Sequence, residues 1–93
     1  MFHGISFIWD TQKARTNLRK HGVSFANACE SFFDPFLRVV DVRREEEERD
    51  AVIGMDTKGR LLFVVHIQAE DDRIRLISAR KATTRERLDY ENQ

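Results

Sequence analysis

The sequence is short of the residues that staple or interrupt small domains. It has one cysteine, Cys29, so no internal disulfide can form. Cys29 sits in an apolar stripe and reads as a small buried side chain of a reducing compartment. No CxxC pair or Cys/His cluster offers zinc spacing, and the expected number of metal sites is none. One proline and four glycines leave few breakpoints. There is no linker and no internal repeat, so residues 1–93 read as a single domain. The longest apolar run, Leu61-Leu62-Phe63-Val64-Val65, is strand length and too short to span a bilayer. With no leader pattern visible, the cytoplasm is the expected location. P-loop, Rossmann and nucleophile-elbow patterns are missing, so no cofactor is expected. Net charge is also lacking: 16 Lys and Arg balance 16 Asp and Glu.

What is present is 41% hydrophobic and 34% charged residues, a composition that folds and dissolves. The charges are unevenly placed. Residues 1–44 carry seven Lys or Arg against four acids, and residues 72–93 carry six against four. Between them runs Glu45-Glu46-Glu47-Glu48, which cancels the excess and reads as a solvated or partner-facing loop. Two basic regions flanking an acidic run are compatible with a face that binds a polyanion.

The pattern of apolar residues gives the order of elements. Ile5, Phe7 and Trp9 alternate, which predicts a short half-buried strand over 4–9. Asp10 is placed to cap a helix over about 11–21, and Gly22 to end it. Ser24 caps a second helix over about 25–33, whose stripe is Phe25, Ala28, Cys29 and Phe32. Asp34-Pro35 stops it. Strands are then expected over 36–42, 51–55, 60–67 and 73–79. Asp56-Thr57-Lys58-Gly59 makes a hairpin turn, and the apolar third segment is the central strand. Thr83 with Glu86 forms a capping box opening a last helix to about residue 91. The fold class is α+β, in the order β-α-α-β-β-β-β-α. The sheet is largely antiparallel, with helices covering one face. The last helix has only Ala82, Leu88 and Tyr90 as apolar residues, so it is held by polar contacts or completed by a partner.

Several blocks resemble the BrnT family of toxins. They are Phe7-Ile8-Trp9-Asp10 with Lys13 and Asn17, then Lys20-His21-Gly22-Val23-Ser24-Phe25 with Ala28. Phe33-Asp34-Pro35, Glu48-Arg49, Ile53-Gly54 and Gly59-Arg60-Leu61-Leu62 follow. The last block is Arg75-Leu76-Ile77-Ser78-Ala79-Arg80-Lys81-Ala82 with Glu86-Arg87 and Tyr90. The resemblance implies a RelE-like fold and an endoribonuclease of a type II toxin–antitoxin pair that arrests growth. It implies a BrnA-like ribbon-helix-helix antitoxin as partner, with operator DNA reached only through that antitoxin. Glu70 departs from the family's pattern, which has an arginine shortly before the last block.

RNA can be cut without a metal: the 2′-hydroxyl attacks the adjacent phosphorus when a base takes its proton, an acid serves the leaving oxygen, and cations stabilise the phosphoryl charge. His21 is the first candidate, since histidine is the side-chain type that exchanges protons near neutrality. In the last helical turn it also suits plain bonding to terminal carbonyls. Glu48 is a candidate base or arginine partner. Arg75 and Arg80 are candidate phosphate holders, and Tyr90 a candidate acid, stacking surface or packing anchor. Lys13, Lys20, Arg49 and Arg73 are candidate RNA backbone contacts, or simply solvated cations. Arg73, Arg75 and Ile77 share a strand face by period two. His66 and Trp9 read as core. Which group is base and which acid stays open. So does a second reading, a non-catalytic chain that binds antitoxin as corepressor or decayed toxin.

Overall fold

The structure is a computed structural model and describes residues 4–42, 49–69 and 71–93. The elements are β1 (Ser6–Ile8), α1 (Thr11–His21), α2 (Phe25–Ala28) and a 3-10 helix (Cys29–Phe33). They continue as β2 (Arg38–Asp41), β3 (Asp50–Met55), β4 (Leu61–Gln68), β5 (Arg73–Lys81) and α3 (Thr84–Glu91). The order matches the sequence expectation, except that the second helix tightens to 3-10 geometry after Ala28. No helix among the described residues is long and apolar enough to cross a membrane.

Local chemistry sets the boundaries. Asp10 accepts the Lys13 N–H at 2.9 Å and starts α1. Gly22, at φ 72°, ends it and donates its N–H to the Leu18 carbonyl at 2.8 Å. Ser24 accepts the Asn27 N–H at 3.1 Å and opens α2. Gly59 supplies the positive φ of the β3–β4 turn, whose backbone is tied to Asp56.

The sheet runs β1-β5-β4-β3-β2, with β4 central. β2 to β5 form the antiparallel meander, and β1 adds to β5 in parallel. Both faces are covered, which corrects the one-face expectation. On one face α1, α2 and the 3-10 helix close over Val23, Phe25, Ala28, Leu62, Val64, Ile74, Leu76 and Ala79. On the other, α3 brings Tyr90 against Ala51, Ile53, Leu61 and Phe63. The sequence signal for the second face was hidden, because α3 has no buried residue and little amphipathic pattern.

Two packing details connect to motif residues. Gly54 lets the sheet meet the 3-10 helix: an added Cβ would stand 2.3 Å from the Ser31 carbonyl oxygen. Ser31 Oγ in turn donates to the Gly54 carbonyl at 2.9 Å. The second detail is a bulge in β5. Val65 pairs with Ser78 but His66 pairs with Leu76, so Ile77 is an extra residue. The buried positions of β5 therefore shift from 74 and 76 to 79.

Candidate functional site

The bulge decides where the arginines go. Strict alternation would place Arg75 and Arg80 on opposite faces. With Ile77 out of step, Arg80 lies opposite Phe63 and Arg75 opposite Ile67, so both take the face that α3 covers. Arg73 precedes Arg75 by two and shares that face.

Arg80 is held from three sides. Its guanidinium makes two parallel bonds to the Glu86 carboxylate, at 2.8 and 2.9 Å. It lies 4.4 Å from the centroid of the Phe63 ring, and it donates to the Lys81 carbonyl at 3.3 Å. Glu86 also accepts the Thr83 N–H, completing the capping box of α3. Burial raises the Glu86 carboxyl, but its bonds to Arg80 and Thr83 outweigh that and hold it below the usual range.

Tyr90 is anchored in a similar way. Its hydroxyl donates to Asp34 Oδ2 at 2.6 Å, and burial with this bond pushes the phenol up to about 12. Asp34 also accepts the Met55 and Phe36 N–H groups, each at 2.8 Å. Burial raises Asp34, yet these three donors bring it below its ordinary value. The polar docking expected of the last helix is thus what holds α3.

The other sheet face carries a different constellation. An open groove of about 250 Å³ runs between α1 and the far half of β5, beyond the end of β1. Lys13, Lys20 and His21 line it from α1, and Ile77 and Ser78 from the bulge. Lys13 and Lys20 are seven apart, two helical turns, which brings both to one flank. Both are exposed, His21 is half-buried, and no carboxylate lines the groove. Neither lysine has an ion-pair partner among the described residues.

Asn17, buried beneath the groove, fixes its two walls. Its Nδ2 donates to the Val23 carbonyl at 2.9 Å and the Ala79 carbonyl at 2.8 Å. Its Oδ1 accepts the Ala79 N–H at 3.0 Å. One side chain thus occupies both outward groups of Ala79, as a neighbouring strand would, and locks α1 to the open edge of β5. Asn17 belongs to the first sequence block, but its role was not readable there; a polar residue facing an apolar stripe was the available signal.

Of the sequence candidates, Lys13, Lys20 and His21 therefore meet in one groove. Arg73, Arg75, Arg80 and Tyr90 do not line it. Arg49 precedes β3, and Glu48 and Glu70 lie outside the described residues. Cys29 is buried, and desolvation pushes its thiol up to about 11, as suits an inert core residue. His66 is buried with its ring 4.9 Å from Phe32, and desolvation lowers its basicity. Trp9 departs from its core reading: it is 37% exposed and packs edge-on against Phe25 at 5.8 Å.

Comparison with known proteins decides the family. The sequence model described as "Ribonuclease toxin, BrnT, of type II toxin-antitoxin system" matches residues 9–86. The chain belongs to the BrnT family. The crystal structure of the Brucella abortus ribonuclease toxin BrnT superposes with a TM-score of 0.67 at 26% identity. That match covers 86% of this chain and 99% of the Brucella chain. No curated protein sequence gives a significant match. A BrnT chain is a ribonuclease toxin of a type II system by family, which implies an RNA target and an antitoxin. Several residues of the sequence blocks carry the architecture here: Asn17, Asp34, Gly54, Glu86 and Tyr90 all make structural contacts.

Proposed function

We propose that the chain is a metal-independent endoribonuclease whose RNA lies in the groove between α1 and β5. The observation that carries this is the convergence of Lys13, Lys20 and His21 on a groove lined by no carboxylate. Lysines there neutralise successive phosphates, so binding weakens as salt rises. His21 takes the proton of a 2′-hydroxyl as its oxygen attacks the adjacent phosphorus. The bond from phosphorus to the 5′-oxygen breaks, and that oxygen is protonated from water. The products are a 2′,3′-cyclic phosphate and a 5′-hydroxyl. No step is routed through a metal. Arg73 and Arg75 extend RNA contact onto the other face, while Arg80 reaches a phosphate only on leaving Glu86. Tyr90 takes no chemical step, since its hydroxyl donates to Asp34. In the cell the activity arrests growth in the cytoplasm until a BrnA-like antitoxin binds. Operator DNA is reached through that antitoxin.

The test is cleavage of an RNA oligonucleotide by the purified chain with EDTA present. Cleavage should persist, leave cyclic phosphate ends, and stop when a 2′-deoxynucleotide stands at the cut. Loss of activity in EDTA that returns with a divalent metal would reject the mechanism.

A second reading has its own support. Two side chains that the sequence offered for catalysis, Arg80 and Tyr90, are engaged by Glu86 and Asp34. A non-catalytic chain that binds antitoxin as corepressor fits that. Soluble, folded protein that causes no growth arrest at high expression favours this reading.

A further inference from the structure

α1 has a second flank, and its chemistry differs from the first. Opposite the lysine groove lies another of about 240 Å³, lined by Trp9, Ala14, Leu18, Phe25 and Ala26, with Arg15 as its lining cation. Trp9 is 37% and Leu18 50% exposed, so two of the five large exposed hydrophobic residues among those described share this groove. Arg19 follows Leu18 one turn beyond Arg15 and extends the cationic rim. No carboxylate lines the groove, and neither arginine has an ion-pair partner among the described residues. The Trp9 ring is braced edge-on by Phe25, which makes it a fixed wall.

We infer that this groove seats the antitoxin, which inserts an apolar side chain beside Trp9 and Leu18 and sets carboxylates against Arg15 and Arg19. The inference rests on the family's toxin–antitoxin reading and names where and by what chemistry the partner binds. Charge complementarity selects an acidic, apolar polypeptide segment. RNA is the poorer match, because a nucleic acid brings a phosphate with every base, while this groove is mostly apolar and has cations only at its rim. The lysine groove on the other flank has the opposite balance.

The test is titration calorimetry of the full chain with the protein encoded by the reading frame adjoining its gene. Leu18→Glu and Arg15→Glu should each weaken binding by about 30-fold, the size expected of a central interface residue. Both positions are exposed, so circular dichroism should be unchanged, and RNA cleavage by the free chain should be retained. Phe36→Glu, on the far edge of the sheet and itself 68% exposed, should leave affinity unchanged. Unaltered affinity in both α1 variants overturns the inference, as does wild-type chain that fails to bind. Loss of RNA binding with antitoxin affinity intact assigns the groove to RNA and overturns it too. A chain that cuts no RNA but loses the antitoxin on Leu18→Glu rejects the nuclease mechanism and leaves this inference standing.

Discussion

Replacing Asn17 by alanine removes three hydrogen bonds of 2.8–3.0 Å, two joining α1 to Ala79 of β5 and one to the Val23 carbonyl after α1. Each contributes about 1 kcal/mol net, so their loss costs about 3 kcal/mol. The Ala79 N–H and the Val23 and Ala79 carbonyls are then left without their partner. Water from the adjoining groove relieves part of that penalty. A domain of this size has a total stability of roughly 5–15 kcal/mol, so the loss is a large share. It corresponds to a fall in Tm of roughly 12–24 °C. Asn17→Asp keeps the shape but loses both donors and turns a carboxylate toward two carbonyl oxygens. Burial and those oxygens raise the pKa of that new carboxyl in the folded state, so its penalty eases as pH falls. Urea unfolding followed by circular dichroism measures both variants. An Asn17→Ala protein within about 1 kcal/mol of wild type, the worth of a single typical hydrogen bond, would refute the claim that this side chain holds the groove together.

Three further outcomes follow from the same contacts. Tyr90→Phe keeps the ring and loses the bond to Asp34, costing about 1.5–2 kcal/mol in unfolding experiments. The raised phenol pKa means that the wild-type contact is complete below pH 10 and lost as pH rises toward about 12; the Phe variant lacks that alkaline loss. Gly54→Ala forces a methyl into the Ser31 backbone and should cost about 2–3 kcal/mol, read as a lower Tm. Acid should destabilise the fold in two stages, seen as Tm against pH. His66, Asp34, Asp56 and Glu86 all have lowered folded pKa values. The unfolded chain therefore binds more protons, and stability falls with pH, first below about 6.5 from His66 and then through the carboxylate range.

Much of the fold was legible because caps and periodicity agree. Asp10, Gly22, Ser24 and Thr83 mark helix ends by side-chain chemistry that acts over three residues, and the apolar run of β4 marks the sheet's centre. The bulge at Ile77 was not legible. It depends on the register against β4, which no local pattern encodes, and it reverses which arginines share a face. The placement of α3 was also hidden, since single polar contacts from Tyr90 and Glu86 to distant residues leave no periodic trace. For the site, the lysines and His21 were named from their types and motif, but their convergence required Asn17 to bring α1 onto β5. Arg80 read as a phosphate holder because its charge was visible and its partner, six residues on, was assigned to a cap.

The most direct measurement of the central claim is the single-turnover rate of RNA cleavage in EDTA by wild type, Lys20→Ala and His21→Ala, each verified as folded. The account expects Lys20→Ala to weaken binding and flatten its salt dependence. It expects His21→Ala to lower the rate at saturating RNA by about 100-fold or more, the usual scale of a general base. A His21→Ala protein that cuts at the wild-type rate would contradict the assignment of the chemistry to this groove.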